Sequence, residues 1–201
     1  MSSNRDLRVI RTRSLIRDAF IRLMDEKGFR NITVNDIADG AMINRSTFYL
    51  HYTDKYELLQ KTVDEAIETI IGSVEPQAHL LNGKPDYESF LQNLSMILKI
   101  FEKDAPLYKI ILNDKEALGI SRKLENSLKN KLESCFPLQF SISRDLCVEL
   151  VSSLYVSTIR WWLNNDMKYS PSFLAKELVK FFESVSHDII KQNQEQPGDP
   201  L

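Results

Sequence analysis

The sequence predicts an all-α fold of about nine helices. Apolar residues recur every three or four positions along most of the 201-residue chain, which sets them on one face of a 3.6-residue helix. No alternation of apolar and polar residues competes seriously with that period. Glycine, proline and short polar residues stand where helices of ordinary length would start and stop.

The elements follow in order. Over residues 9–27, Ile10, Leu15, Ile16, Ala19, Phe20, Leu23 and Met24 keep the helical spacing, and Gly28 ends the run as a left-handed stop. Thr33 caps a short second helix holding Val34, Ile37 and Ala38, Gly40 lies in the turn, and Asn44 caps the third helix after Ile43. Asp54 caps a longer fourth helix carrying Leu58, Leu59, Val63, Ala66, Ile67, Ile70 and Ile71. Gly72, Pro76, Gly83 and Pro85 then mark a loop. Helical segments are predicted over 87–103, 106–113 and about 115–135, with a break at Phe136-Pro137. Ser143 caps a helix to about residue 164, and Ser170 with Pro171 at the first helical position opens a last one to about residue 192. Residues 193–201, polar with two prolines, predict a flexible tail.

Composition narrows the function classes. The formal charge is only -2, so the chain as a whole has no bias toward polyanions, but its first 61 residues carry 11 Lys and Arg against 8 Asp and Glu, and the remainder 15 against 20. A phosphate-binding surface would sit at the basic end. Cys135 and Cys147 form no CxxC or Cys/His cluster, which argues against a disulfide framework or a metal site and fits a reduced cytoplasm. His51, His79 and His187 lie far apart, without a nucleophile signature or a Gly-rich phosphate loop, so neither an enzyme nor a small-molecule carrier is expected, and no catalytic residue or cofactor. The N-terminus lacks the apolar core of a signal peptide, and no apolar run approaches the ~18 residues needed to span a bilayer. A cytoplasmic location with no membrane partner is the expectation.

Residues 33–55 read as two short helices around a glycine-bearing turn, the second opened by a polar cap: a helix-turn-helix. The second helix of such a motif enters the DNA major groove by its N-terminus. Here that end carries Asn44, Arg45, Ser46 and Thr47. The guanidinium of Arg45 matches guanine O6 and N7, Ser46 offers a hydroxyl, and Thr47 offers a methyl to thymine or a hydroxyl to base or phosphate. Arg45, Ser46 and Thr47 are therefore the candidate base readers, and Asn44 a candidate phosphate contact.

The stretch Ser46-Thr47-Phe48-Tyr49-Leu50-His51-Tyr52-Thr53-Asp54-Lys55-Tyr56-Glu57-Leu58-Leu59 is similar to the recognition-helix signature of the TetR family of bacterial transcriptional regulators. That signature runs threonine, an aromatic or aliphatic residue, tyrosine, any residue, histidine or tyrosine, phenylalanine or tyrosine, two residues, lysine, then leucine three further on. Residues 9–60 as a whole resemble the family's N-terminal domain. The resemblance implies that Tyr49, His51 and Lys55 contact phosphates, where each can donate a hydrogen bond. Thr33 is expected to cap the second helix and to aim its hydroxyl and the helix's first amides at another phosphate. Phe48 and Tyr52 are expected in the core of the head. Arg5, Arg8, Arg11 and Arg13 precede or begin the first helix, as either a solvated face or an arm along the DNA backbone.

The last two helices are apolar over wide faces, Leu146, Leu150, Val151, Leu154, Thr158, Trp161 and Trp162 on one, Leu174, Leu178, Phe181, Phe182, Val185 and Ile189 on the other. The segment Ile159-Arg160-Trp161-Trp162-Leu163, with Met167 and Ser170-Pro171, resembles the C-terminal domain of one TetR subgroup. In this family the last two helices form a four-helix bundle with those of a twofold mate. That implies a homodimer joined through Leu154, Thr158 and Trp162 on one helix and Leu174, Leu178, Phe181, Phe182 and Val185 on the other, presenting two heads to a palindrome. The family also takes a small ligand in the body. Phe90, Leu94, Phe101 and Tyr108, with Ile111, Tyr155 and Trp161, are the candidate lining for a small apolar or aromatic effector.

The expected organisation is a DNA-binding head over 1–55, a helical effector-binding and dimerisation body over 56–192 joined to it by the fourth helix, and the tail. The expected function is a repressor that binds a double-stranded operator as a dimer and is released by an effector. The alternative keeps DNA binding but has no ligand pocket, a protein partner such as a co-activator governing activity.

Overall fold

The computed structural model describes residues 2–75, 80–81, 84–116, 118–135 and 143–194, with side chains over 7–75, 86–116, 118–134 and 143–184. The side chains of Arg5, His79, Val185, His187 and Ile189, the loop residues Pro76 and Gly83, the break at Phe136-Pro137 and the tail from 195 lie outside the described residues.

Among the described residues there are nine α-helices: α1 (Ser2–Lys27), α2 (Val34–Gly40), α3 (Arg45–Tyr49), α4 (Lys55–Ser73), α5 (Tyr87–Lys103), α6 (Ala105–Asn113), α7 (Ile120–Cys135), α8 (Arg144–Asn164) and α9 (Pro171–Gln194). The fold is all-α, as the apolar period predicts. Two small elements are additional, a 3-10 turn at Phe29–Asn31 and an antiparallel hairpin of two-residue strands, β1 (Leu80–Leu81) and β2 (Lys84–Pro85). Strands that short carry no alternation for a sequence to display.

Two helix starts differ from expectation, each for a local reason. α1 begins at Ser2 rather than near Val9, because its first turns are polar and show no apolar stripe. Arg8, placed by the sequence before the helix, is therefore on it, and Arg8, Arg11 and Arg13 all stand exposed there. α7 begins at Ile120 rather than near 115: Asp114 ends α6 in the left-handed region, at φ 38, and its carboxylate takes the backbone N–H groups of Leu118 and Gly119, each at 2.8 Å.

The chain forms two compact units, residues 1–71 with 104–128 and residues 72–103 with 129–201. In the first, Ile16, Phe20, Ile32, Ile37, Phe48 and Leu58 are fully buried, and the rings of Phe20 and Phe29 meet edge to face at 6.2 Å. Each such side chain contributes about 1.5–3 kcal/mol on leaving water. Helices as short as α2 and α3 do not persist alone, so Ile37 and Phe48 are what hold them.

Gly40, predicted in the turn between α2 and α3, is the last residue of α2 instead. Gly40 closes α2, where a Cβ would come within 3.1 Å of Arg22 Nη2 and 3.3 Å of the Ala19 Cβ. It is there for close approach of α1. The left-handed residue is Met42, at φ 55 with its side chain 88% exposed. That backbone region costs an L-residue about 1–2 kcal/mol, while glycine adds some chain entropy to the unfolded state. Met42→Gly should therefore raise the unfolding free energy by about 1 kcal/mol, read from the urea midpoint; a lowered midpoint would reveal a stabilising contact of the side chain.

In the second unit α5 packs along α9. Phe182 touches Phe90 and Tyr155, with ring centroids 5.7 Å apart in both pairs. Trp162 is fully buried, and its indole N–H donates to the Tyr169 carbonyl at 2.7 Å, tying the end of α8 to the turn before α9. Ser170 opens α9 as expected, its hydroxyl accepting the Phe173 N–H at 3.3 Å ahead of Pro171. Buried Asn93 donates to the Ser73 carbonyl at 2.8 Å, satisfying the last turn of α4. Among the described residues no helix is long and apolar enough to cross a membrane.

Candidate nucleic-acid interface

α2 opens on a complete capping box. The Thr33 hydroxyl accepts the Asp36 N–H at 3.1 Å and donates to the Asp36 carboxylate at 2.6 Å, while the Thr33 N–H donates back to that carboxylate at 2.9 Å. Lys27 closes the other carboxylate oxygen at 2.9 Å. The Thr33 hydroxyl, and then Lys27, hold the Asp36 carboxyl well below the usual carboxylate range. The cap predicted for Thr33 is thus present, with the ionised Asp36 carboxylate on its hydroxyl and backbone N–H.

Between α1 and α2 the chain turns through Gly28, at φ 73 and ψ 154. This is not the left-handed helical stop expected there: φ is positive but ψ is extended, a region that only glycine enters readily. A Cβ would also run into the Glu116 carboxylate, whose other oxygen accepts the Arg30 N–H at 3.1 Å. Nothing in the local sequence signals Glu116, which reaches this turn from 86 residues away. On the same turn, Lys55 donates to the carbonyls of Phe29 at 3.0 Å, Arg30 at 3.2 Å and Ile32 at 2.7 Å, with its ammonium 4.7 Å from the Phe29 ring centroid. An ammonium has three N–H groups. Lys55, predicted on a phosphate, is here a half-buried clasp between the turn and the start of α4.

α3 starts where the Asn44 carbonyl accepts the Thr47 and Phe48 N–H groups, at 2.8 and 3.3 Å. The Asn44 side chain makes no capping bond, contrary to its predicted role, and stays on the surface. Arg45, Ser46 and Tyr49 are exposed and Thr47 is half-buried, while Phe48 is fully buried with Tyr49 and Tyr52 against it at 5.6 and 5.7 Å. One residue thus anchors the helix and leaves its polar residues to solvent. Arg45 does not float freely: its Nη2 and Nε lie 3.0 and 3.4 Å from the Tyr49 phenol oxygen. His51 is half-buried, its pKa lowered first by burial and then by nearby Arg13, so at neutral pH it offers one N–H from an uncharged ring.

α4 begins with a second cap. Asp54 accepts the Tyr56 and Glu57 N–H groups at 2.8 and 2.9 Å, as the sequence predicts. Glu57 in turn accepts the Thr53 N–H and hydroxyl, at 2.6 and 2.8 Å; its salt bridge to Lys61 and these bonds bring its carboxyl down to about 2. The segment leaving the recognition helix is thereby fixed.

This geometry coincides with two family matches. Residues 16–62 match the model of the bacterial regulatory proteins of the tetR family, and residues 88–184 match that of a transcriptional regulator C-terminal region. The chain belongs to the TetR family. YxbF of Bacillus subtilis (strain 168), an HTH-type transcriptional regulator, is 26% identical over 189 residues, covering 92% of this chain and 48% of YxbF. DhaS of Lactococcus lactis, transcriptional activator of the dhaKLM operon, is 30% identical over 105 residues, covering 52% of this chain and 51% of DhaS. The chain thus spans about half the length of these curated relatives. A TetR transcriptional regulator of Streptococcus agalactiae superposes with a TM-score of 0.58 at 25% identity, over 90% of this chain and 98% of the other.

The body residues of this TetR-family chain fall out differently from expectation. Trp162, Leu174 and Leu178, predicted at a dimer face, are buried inside the chain's own second unit, at most 8% exposed. Leu154, Thr158 and Phe182 are half-buried, and of that set Phe181 is exposed. Among the described residues, the other large apolar side chains exposed on α8 and α9 are Leu146, Leu150, Trp161 and Phe173. Trp161, predicted to line a pocket, stands on the surface beside Tyr169, at 6.2 Å. Of the remaining predicted lining, Leu94 and Phe101 are buried and Phe90 and Tyr155 half-buried in the second unit, with burial raising the Tyr155 hydroxyl above its usual pKa. Tyr108 and Ile111 are buried in the first unit. There the Tyr108 hydroxyl donates to the Ala66 carbonyl at 3.4 Å and is pushed up to about 12, by burial and then by Asp104.

Proposed function

We propose that this chain is a DNA-binding transcriptional regulator of the cytoplasm that reads a palindromic operator as a homodimer, one α3 to each half-site. The observation that carries the proposal is the division of labour within α3, where buried Phe48 fixes the helix and Asn44, Arg45 and Ser46 are exposed to solvent at its N-terminal end. Arg45 and Ser46 meet base edges, with Thr47 at their side. Asn44, Tyr49 and His51 contact phosphates, and exposed Arg8, Arg11 and Arg13 supply positive charge along the backbone. The dimer is supported by Leu146, Leu150, Trp161, Phe173 and Phe181, apolar and exposed on α8 and α9, which a second copy would cover.

The test is selection of duplexes from a randomised library by the full chain. Selected sequences should carry an inverted repeat with half-site centres about 10 bp, or 34–36 Å, apart. Arg45→Ala should weaken binding by about 1–3 kcal/mol and erase the preference at one base pair in each half. An unrepeated site would remove the dimer from this reading, and an unchanged base preference would remove Arg45 from the readers.

Repression relieved by a small apolar or aromatic effector is the mode expected from the sequence. A second reading, activation by the bound chain, is favoured by the DhaS relative, itself named an activator. A reporter behind the selected operator separates them: deleting the gene raises its output under the first and lowers it under the second.

A further inference from the structure

We propose that Tyr49 is a positioning residue for Arg45, holding the guanidinium by one edge so that the other edge is presented to a guanine. This rests on the DNA-reading proposal above and adds how the reader is aimed. Arg45 and Tyr49 stand one helical turn apart on exposed α3. A guanidinium has two edges able to form paired hydrogen bonds, one made of Nε–H with Nη2–H and one of Nη1–H with Nη2–H. The Tyr49 phenol oxygen takes both donors of the first edge, Nη2 at 3.0 Å and Nε at 3.4 Å. The guanidinium carbon also stands 5.5 Å from the Tyr49 ring centroid, within the range at which ring and cation attract. What remains is the Nη1/Nη2 edge, the two-pronged fork that fits guanine O6 and N7.

The phenol serves as acceptor in this pair, which leaves its own hydrogen to donate. A phosphate oxygen receiving that hydrogen would complete a chain from DNA backbone through Tyr49 to Arg45, each bond polarising the next. Seating the backbone and aiming the base reader then become one event. Tyr49 thereby acquires a role in specificity beyond that of a backbone contact, although it touches no base.

The test compares Tyr49→Phe with the wild-type chain on the library-selected duplex and on its three single-pair variants at the pair identified through Arg45→Ala. Phenylalanine keeps the ring and removes the acceptor. Wild-type discrimination at that pair should be on the order of 10- to 100-fold, and Tyr49→Phe should reduce it to a few-fold while leaving preferences at other pairs unchanged. In an Arg45→Ala background the same substitution should have no further effect at that pair. Uniform weakening of all duplexes, with discrimination intact, would make Tyr49 a backbone contact only and overturn the proposal. Failure of the wild-type chain to select any duplex would sink the DNA-reading proposal itself, an outcome distinct from either.

Discussion

Phe48→Ala should destabilise the first unit by about 3–5 kcal/mol and abolish sequence-specific DNA binding even where the chain remains folded. The ring is fully buried, with Tyr49 and Tyr52 packed against it, and truncation of a buried phenylalanine forfeits both its transfer from water and the contacts around the cavity left behind. The functional effect should exceed the stability effect. α3 has five residues, Arg45–Tyr49, and a helix of that length has almost no stability of its own. Without its anchor the Arg45–Tyr49 pair is no longer presented at a defined angle, and misplacement of a base-reading fork by an ångström is enough to break paired hydrogen bonds. Urea unfolding followed by circular dichroism measures the first effect and titration of the selected duplex the second. A variant that retained operator affinity would show that α3 is held by something other than this ring.

The affinity for the selected duplex should fall by roughly 10³ between 50 and 200 mM salt, a logarithmic slope of about -5. The estimate comes from the charges left available by the fold. Lys55 is committed to three carbonyls and Lys27 to Asp36, and His51 is held toward its neutral form. Of the cations assigned to the DNA backbone, Arg8, Arg11 and Arg13 remain exposed, about six in a dimer, to displace counterions from phosphates. A slope near -10 would mean that Lys55 leaves its carbonyls on the complex, and a flat response would sink the DNA-binding proposal.

The sequence was most legible where a side chain's role is local. Thr33, Asp54 and Ser170 bond to backbone groups within a few residues, as expected of caps, whereas Asn44 and Ser143, also predicted as caps, stand at their helix starts without a side-chain capping bond. The ends of α5 and α8 are likewise as predicted, because Lys103 and Asn164 close unbroken apolar stripes. α8 shows where that method stops. It carries apolar residues around much of its circumference, and neighbours differ by only 100°. Trp161 is thus expected in a pocket and Trp162 at a dimer face; the second fills the interior and the first faces solvent. The turn of the helix-turn-helix has the same lesson in backbone form. The sequence places Gly40 in the turn, yet close approach of α1 accounts for it at the end of α2 and Met42 takes the left-handed position.

The sequence by itself determined the family, the all-α class, the helix-turn-helix and the polar residues at the head of α3, since these depend on periodicity, caps and the spacing of a contiguous signature. Only the tertiary structure decided that Lys55 is a clasp, that Glu116 fills the space Gly28 leaves open, that Tyr49 takes hold of Arg45, and which faces of α8 and α9 remain outside. Hydrogen bonds and burial depend on which groups the packed chain brings within about 3–4 Å of each other, and for Glu116 that distance is reached across 86 residues of intervening chain.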